Sequence, residues 1–96
     1  QSVVGVWGLV RTIGDANGCG SETRVEFRDN GVFSTPNGVS TNYAVRDGII
    51  AMEYNRYLDG PMDIEYEINS GRLYLSPINP SAERPLNCTY IYERLD

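Results

Sequence analysis

The feature that most constrains this chain is an alternation of apolar and polar residues, interrupted at short intervals by dipeptides that favour tight turns. Glu22 to Arg28 sets Thr23, Val25 and Phe27 on one face against Glu22, Arg24, Glu26 and Arg28 on the other. Met62, Ile64, Tyr66 and Ile68 alternate in the same way with Asp63, Glu65 and Glu67. A two-residue period belongs to a half-buried antiparallel strand, whose successive side chains point to opposite faces of the sheet. Asn30-Gly31, Asp47-Gly48 and Asn69-Ser70-Gly71 separate such stretches, and these sequences accept the positive φ of hairpin turns.

Taken in order, the pattern predicts strands at 3–13, 22–28, 32–34, 41–46, 49–54, 62–68, 72–76 and 88–95. Loops at 14–21, 55–61 and 77–87 are read from their Gly, Asp, Asn and Pro content. No stretch reads as a helix. At 96 residues the chain is one domain, residues 1–96, with a small core. Eight short strands in consecutive hairpins favour a meandering barrel or a sandwich. Pairing the first strand with the last removes both sheet edges, which is the physical advantage of the barrel.

Gly5-Val6-Trp7 on the first strand, Arg94 on the last, and the hairpin Phe27-Arg28-Asp29-Asn30-Gly31-Val32-Phe33 carry a resemblance to a known family. The chain resembles the lipocalin and wider calycin group, specifically its small bacterial lipocalin-like members. Its Gly-x-Trp and terminal basic residue match theirs, and its hairpin differs from the family's F-x-x-D-G-x-F only in Asn for Asp. The resemblance implies an all-β fold: an eight-stranded antiparallel up-and-down meander closed into a small barrel. It also implies that Arg94 packs over Trp7 at the closed end, where a stacked guanidinium contributes about 0.5–2 kcal/mol. The chain is much shorter than full lipocalins and has no helix after its strands. Strands of about six residues supply about three inward side chains each, just enough to fill an eight-stranded barrel.

Composition excludes more than it assigns. Net charge is −5, and the eight cationic residues are all Arg and scattered singly. No basic stripe is available to displace counterions from a phosphate backbone, so nucleic acid is not an expected partner. With no His and no Lys, histidine bases, Ser-His and Cys-His pairs and Schiff-base lysines are unavailable. Acid–base work would rest on carboxylates or Tyr. No apolar run is long enough for a membrane span, and no cofactor or metal is expected.

Cys19 and Cys88 flank the first and last strands, which a closed sheet makes neighbours. They are either bridged or two buried reduced thiols. The bridge is the expected state, and it would place the chain in an oxidising, extracytoplasmic compartment: secreted, periplasmic or lipid-anchored.

The expected ligand-binding residues are Tyr43, Tyr54 and Tyr66, which alternate with inward positions, together with Tyr57 and Leu58 on the 55–61 loop. Ordinary strand aromatics would look the same. Asp63, Glu65 and Glu67 read as a solvated outer row, being about 7 Å apart at period two. Asp15-Ala16-Asn17-Gly18 lacks the spacing of a calcium loop and reads as turn chemistry, and Asn87-Cys88-Thr89 reads as a chance sequon. Glu53 is expected to face water, because its neighbours Met52 and Tyr54 take the inward register. No catalytic residue is assigned.

These readings favour a non-enzymatic binding module, monomer or homodimer, that recognises a protein partner or a small apolar ligand through open-end loops; an inhibitor-like role belongs to this class. Two alternatives are a small isomerase- or cyclase-type barrel using Tyr and a carboxylate, and a structural envelope component. An exposed Val4, Val6 and Val10 face opposite Trp7 would be the mark of the latter.

Overall fold

The computed structural model describes residues 2–14, 22–55, 60–78 and 88–96, with the side chain of Asn55 excepted. Eight strands follow one another: β1 (Gly5–Gly14), β2 (Arg24–Phe27), β3 (Val32–Ser34), β4 (Ser40–Arg46), β5 (Ile49–Asn55), β6 (Gly60–Asn69), β7 (Arg72–Ile78) and β8 (Cys88–Arg94). Each pairs antiparallel with the next, and β1 pairs with β8 to close an up-and-down barrel. Of the barrel and the sandwich that the alternation and turn signals leave open, the structure is the barrel, as the resemblance implies.

Two strands, β6 and β7, run two residues past an expected boundary, and each of these extensions contains a proline. Pro61 lies inside β6 beside an irregularity in β5, where the register shifts between Met52 and Asn55. Pro77 lies in β7 beyond Leu75↔Tyr90, the last β7–β8 pair among the described residues. Proline cannot donate to a ladder, and both sit where the ladder is broken or one-sided. β1 begins at Gly5 rather than Val3, yet Val3 is buried.

Interior side chains pack into one cluster. Trp7, Phe27, Ile50 and Leu73 are fully buried, joined by Val25, Met52, Ile64, Leu75 and Tyr92. Phe27 and Phe33, opposite one another in the β2–β3 hairpin, place their rings 5.0 Å apart, and Tyr43 meets Phe27 edge-on at 5.1 Å. Such pairs add about 0.5–1.5 kcal/mol beyond area burial. The face opposite Trp7 is partly open: Val4 and Val10 are exposed and Val6 is half-buried.

The two barrel ends differ. Three short turns, at Arg28–Gly31, Asp47-Gly48 and Ser70-Gly71, share one end with the start of β1 and the finish of β8. The other end takes the connections 15–23, 35–39, 56–59 and 79–87, three of which contain residues outside the described set.

Candidate functional site

The turn end is sealed, and its construction explains the Gly-x-Trp signature. Trp7 lies opposite Arg94 across the β1–β8 closure, and the guanidinium carbon stands 4.4 Å from the indole ring centroid. The same guanidinium holds the N-terminal segment, donating from Nη1 to the Val4 carbonyl (3.0 Å) and from Nη2 to the Ser2 carbonyl (3.2 Å). The indole Nε1 donates to the Val3 carbonyl at 2.9 Å, drawing Val3 into the core cluster as a floor for the barrel. Asp96 completes the arrangement by pairing with Arg94 at 3.6 Å and accepting the Val6 N–H. Gly5 is required twice over. Its φ of +147° suits only glycine, and a Cβ there would collide with Arg94 Nη1.

The sealed end captures two of the expected ligand residues. Tyr43 faces inward beside Met52, its N–H donates to the Gly31 carbonyl, and its hydroxyl donates to the Arg28 carbonyl at 2.6 Å. Burial, reinforced by nearby Asp29, raises its pKa. Tyr66 is half-buried against the core, and its N–H donates to the Gly48 carbonyl in the β4–β5 turn. Tyr54 instead sits near the far end of β5, 48% exposed, at the register shift. The structure therefore does not gather the three tyrosines around one mouth. Tyr57 and Leu58 lie outside the described residues, as does Cys19.

At the open end the structure supplies ties that sequence reading missed. Tyr92 lies in the core, paired with Leu9 and Leu73, and its hydroxyl donates to the Glu22 carbonyl at 3.1 Å. Burial, with smaller contributions from Tyr90 and Glu22, raises its pKa well above the ordinary phenol range. Asn37 in the β3–β4 turn donates to Glu22 Oε1 at 3.2 Å and accepts from the Thr35 hydroxyl. Glu22 thus joins β8 and the β3–β4 turn to the entry of β2. Only the position of Asn37 in a Pro-Asn-Gly turn hinted at this, since the partners of Glu22 lie 15 and 70 residues further along the chain. Cys88 is buried at the start of β8 opposite Gly14, and no cysteine among the described residues is free.

An open groove of about 620 Å³ crosses the outer wall of β4, β5 and β6. The cross-strand pair Ala44↔Ala51 leaves its floor low, and Asn42, Glu53 and Pro61 form the sides. Glu53 faces water, as its register predicts, on the wall opposite to the inward Tyr43. Asp63, Glu65 and Glu67 are likewise exposed on the outside. Thr35 is the one buried polar residue among those described, and no three His, Cys, Asp or Glu among them are grouped to hold a metal.

Comparison with protein-family models, with curated proteins and with solved structures finds no match to this chain.

Proposed function

We propose that the chain is a lipocalin-like, non-enzymatic binding module that recognises a protein partner through the connections at its open end. The observation that carries this reading is the asymmetry of the barrel. One end is closed by Val3, Trp7 and Arg94 beneath three tight turns, while the longer connections emerge together from the other. Loops on a rigid scaffold are where binding residues concentrate. The interior from Trp7 to Leu75 is occupied by side chains, which favours contact at the rim over a small apolar ligand carried deep inside. Tyr57 and Leu58 on the β5–β6 connection supply the apolar contact in this proposal.

The same reading joins Cys19 to Cys88 in a disulfide and places the protein in an extracytoplasmic compartment. Support comes from the buried Cys88 opposite the last residue of β1 and from the lack of a free cysteine among the described residues.

The test is affinity capture from an extracytoplasmic extract of the source, run with wild type and with the double variant Tyr57→Ser, Leu58→Ser. The proposal expects a partner retained by wild type and lost by a variant with an unchanged unfolding midpoint. Native mass spectrometry of the same material reports any small ligand. A retained small molecule with no protein partner would transfer the function to ligand carriage, and a wild type that holds neither would overturn both.

A further inference from the structure

The outer wall of β4, β5 and β6 combines a low apolar floor with carboxylates that stand apart from any cation. Strand pairing sets Ala44, Ala51 and Asp63 in one row across the three strands. The open groove of about 620 Å³ therefore runs over two methyl groups toward a carboxylate. Asn42 and Glu53, one step beyond the pair Tyr43↔Met52, line the same groove and form the adjacent row toward the open end. Glu53 and Asp63 are both exposed, as are Glu65 and Glu67 further along β6. Among the described residues the ion pairs are Arg28–Glu26 and Arg94–Asp96, and neither lies on this wall. Arg46, at the turn end of β4, is the one cation of the wall among the described residues, and it bounds the groove on that side.

This wall selects an occupant by charge and by shape. A long cationic side chain covers apolar surface with its stem while its head stays in water, which is what an alanine floor leading to a carboxylate accommodates. Arginine suits it better than lysine, because the planar guanidinium bonds a carboxylate through two parallel N–H groups. The two rows lie about 7 Å apart, which is also the spacing at which an extended chain presents alternate side chains on one face. Glu65 and Glu67 add to the negative potential that draws such a segment in.

We propose that the groove docks an extended segment of a partner protein bearing the pattern Arg-x-Arg. One arginine lies over Ala44 and Ala51 with its head at Asp63, and the other passes Asn42 to reach Glu53. The site is on the barrel wall and is independent of recognition by the open-end connections. Exposed ion pairs contribute little each, so the segment binds weakly and its affinity falls with salt.

The test is an amide chemical-shift titration with a synthetic threonine heptapeptide carrying arginine at two alternate central positions. Peptide is added to about 5 mM, a ceiling suited to a dissociation constant of about 1 mM. Signals of Ala44, Ala51 and Asp63 should move and saturate. The isomer with adjacent arginines sends them to opposite faces and should bind about two- to fivefold more weakly, the loss of one exposed pair. Asp63→Asn and Glu53→Gln should each weaken binding by the same factor. Ala51→Phe, which fills the floor without changing charge, should abolish it. Glu93→Gln changes the net charge equally but lies on β8, across the barrel, and should leave binding as in wild type. Unfolding midpoints confirm that each variant is folded. Shifts that are absent or fall elsewhere, an isomer that binds equally, a folded Ala51→Phe that still binds, or Glu93→Gln weakening binding as much as Asp63→Asn would overturn the proposal.

Discussion

At the scale of single residues, Trp7 and Arg94 act on the barrel rather than on a ligand. The indole fills the floor, holds Val3 by its Nε1, and is capped by a guanidinium whose other donors fasten Ser2 and Val4. Trp7→Ala should cost about 3–5 kcal/mol through the cavity it leaves, read as a fall in urea midpoint. Gly5→Val should fail differently, since it forces Arg94 away from the indole and imposes an unsuitable φ; its signature is a loss of the near-ultraviolet Trp band with the strands retained. Tyr92 makes stability depend on pH. Its raised pKa means that the unfolded chain releases the phenol proton near pH 10, as an ordinary tyrosine does, while the folded chain still holds it. The contribution is therefore intact below about pH 10 and is lost as pH rises beyond that value. Unfolding midpoints measured from pH 8 upward should fall less steeply for Tyr92→Phe than for wild type.

The hairpins and their irregularities set the next scale. The turns at Asp47-Gly48 and Ser70-Gly71 both have positive φ at their two central residues, 52° and 78° in one, 55° and 78° in the other. Such primed turns match the right-handed twist of the strands they join. Serine is the poorer choice at a positive φ, because it lacks asparagine's tolerance of that region. Ser70→Asn should thus stabilise the protein by about 0.5 kcal/mol, within the range of turn optimisation, raising the urea midpoint without altering the slope. These turns were legible from their dipeptides. The bulge after Leu9 was not, because Val10 reads as one more strand residue between Leu9 and Arg11, and only the register against Tyr92 and Ile91 shows that it has no opposite number.

Over the whole molecule, the barrel joins ends that are 90 residues apart, as in the bond from Arg94 to Val4. A bridge from Cys19 to Cys88 would shorten that search by closing a loop of about 70 residues, worth on the order of 4 kcal/mol in the chain-entropy model. Denatured, unreduced protein should therefore resist alkylation, and reduction should lower its melting temperature sharply; two thiols alkylated without reductant would remove the bridge from the account. By itself the sequence determined the eight strands and the hairpins that join them, while its resemblance to small lipocalin-like barrels implied the closure and the stacking of Arg94 on Trp7. The strands and hairpins rest on local alternation and on turn dipeptides. Only the tertiary structure decided that Val3 seals the floor, that Tyr43 and Tyr66 lie toward the closed end while Tyr54 does not, and that Tyr92 reaches Glu22. Each depends on how strands distant in sequence are staggered against one another, and stagger is a property of the closed sheet that no single strand encodes.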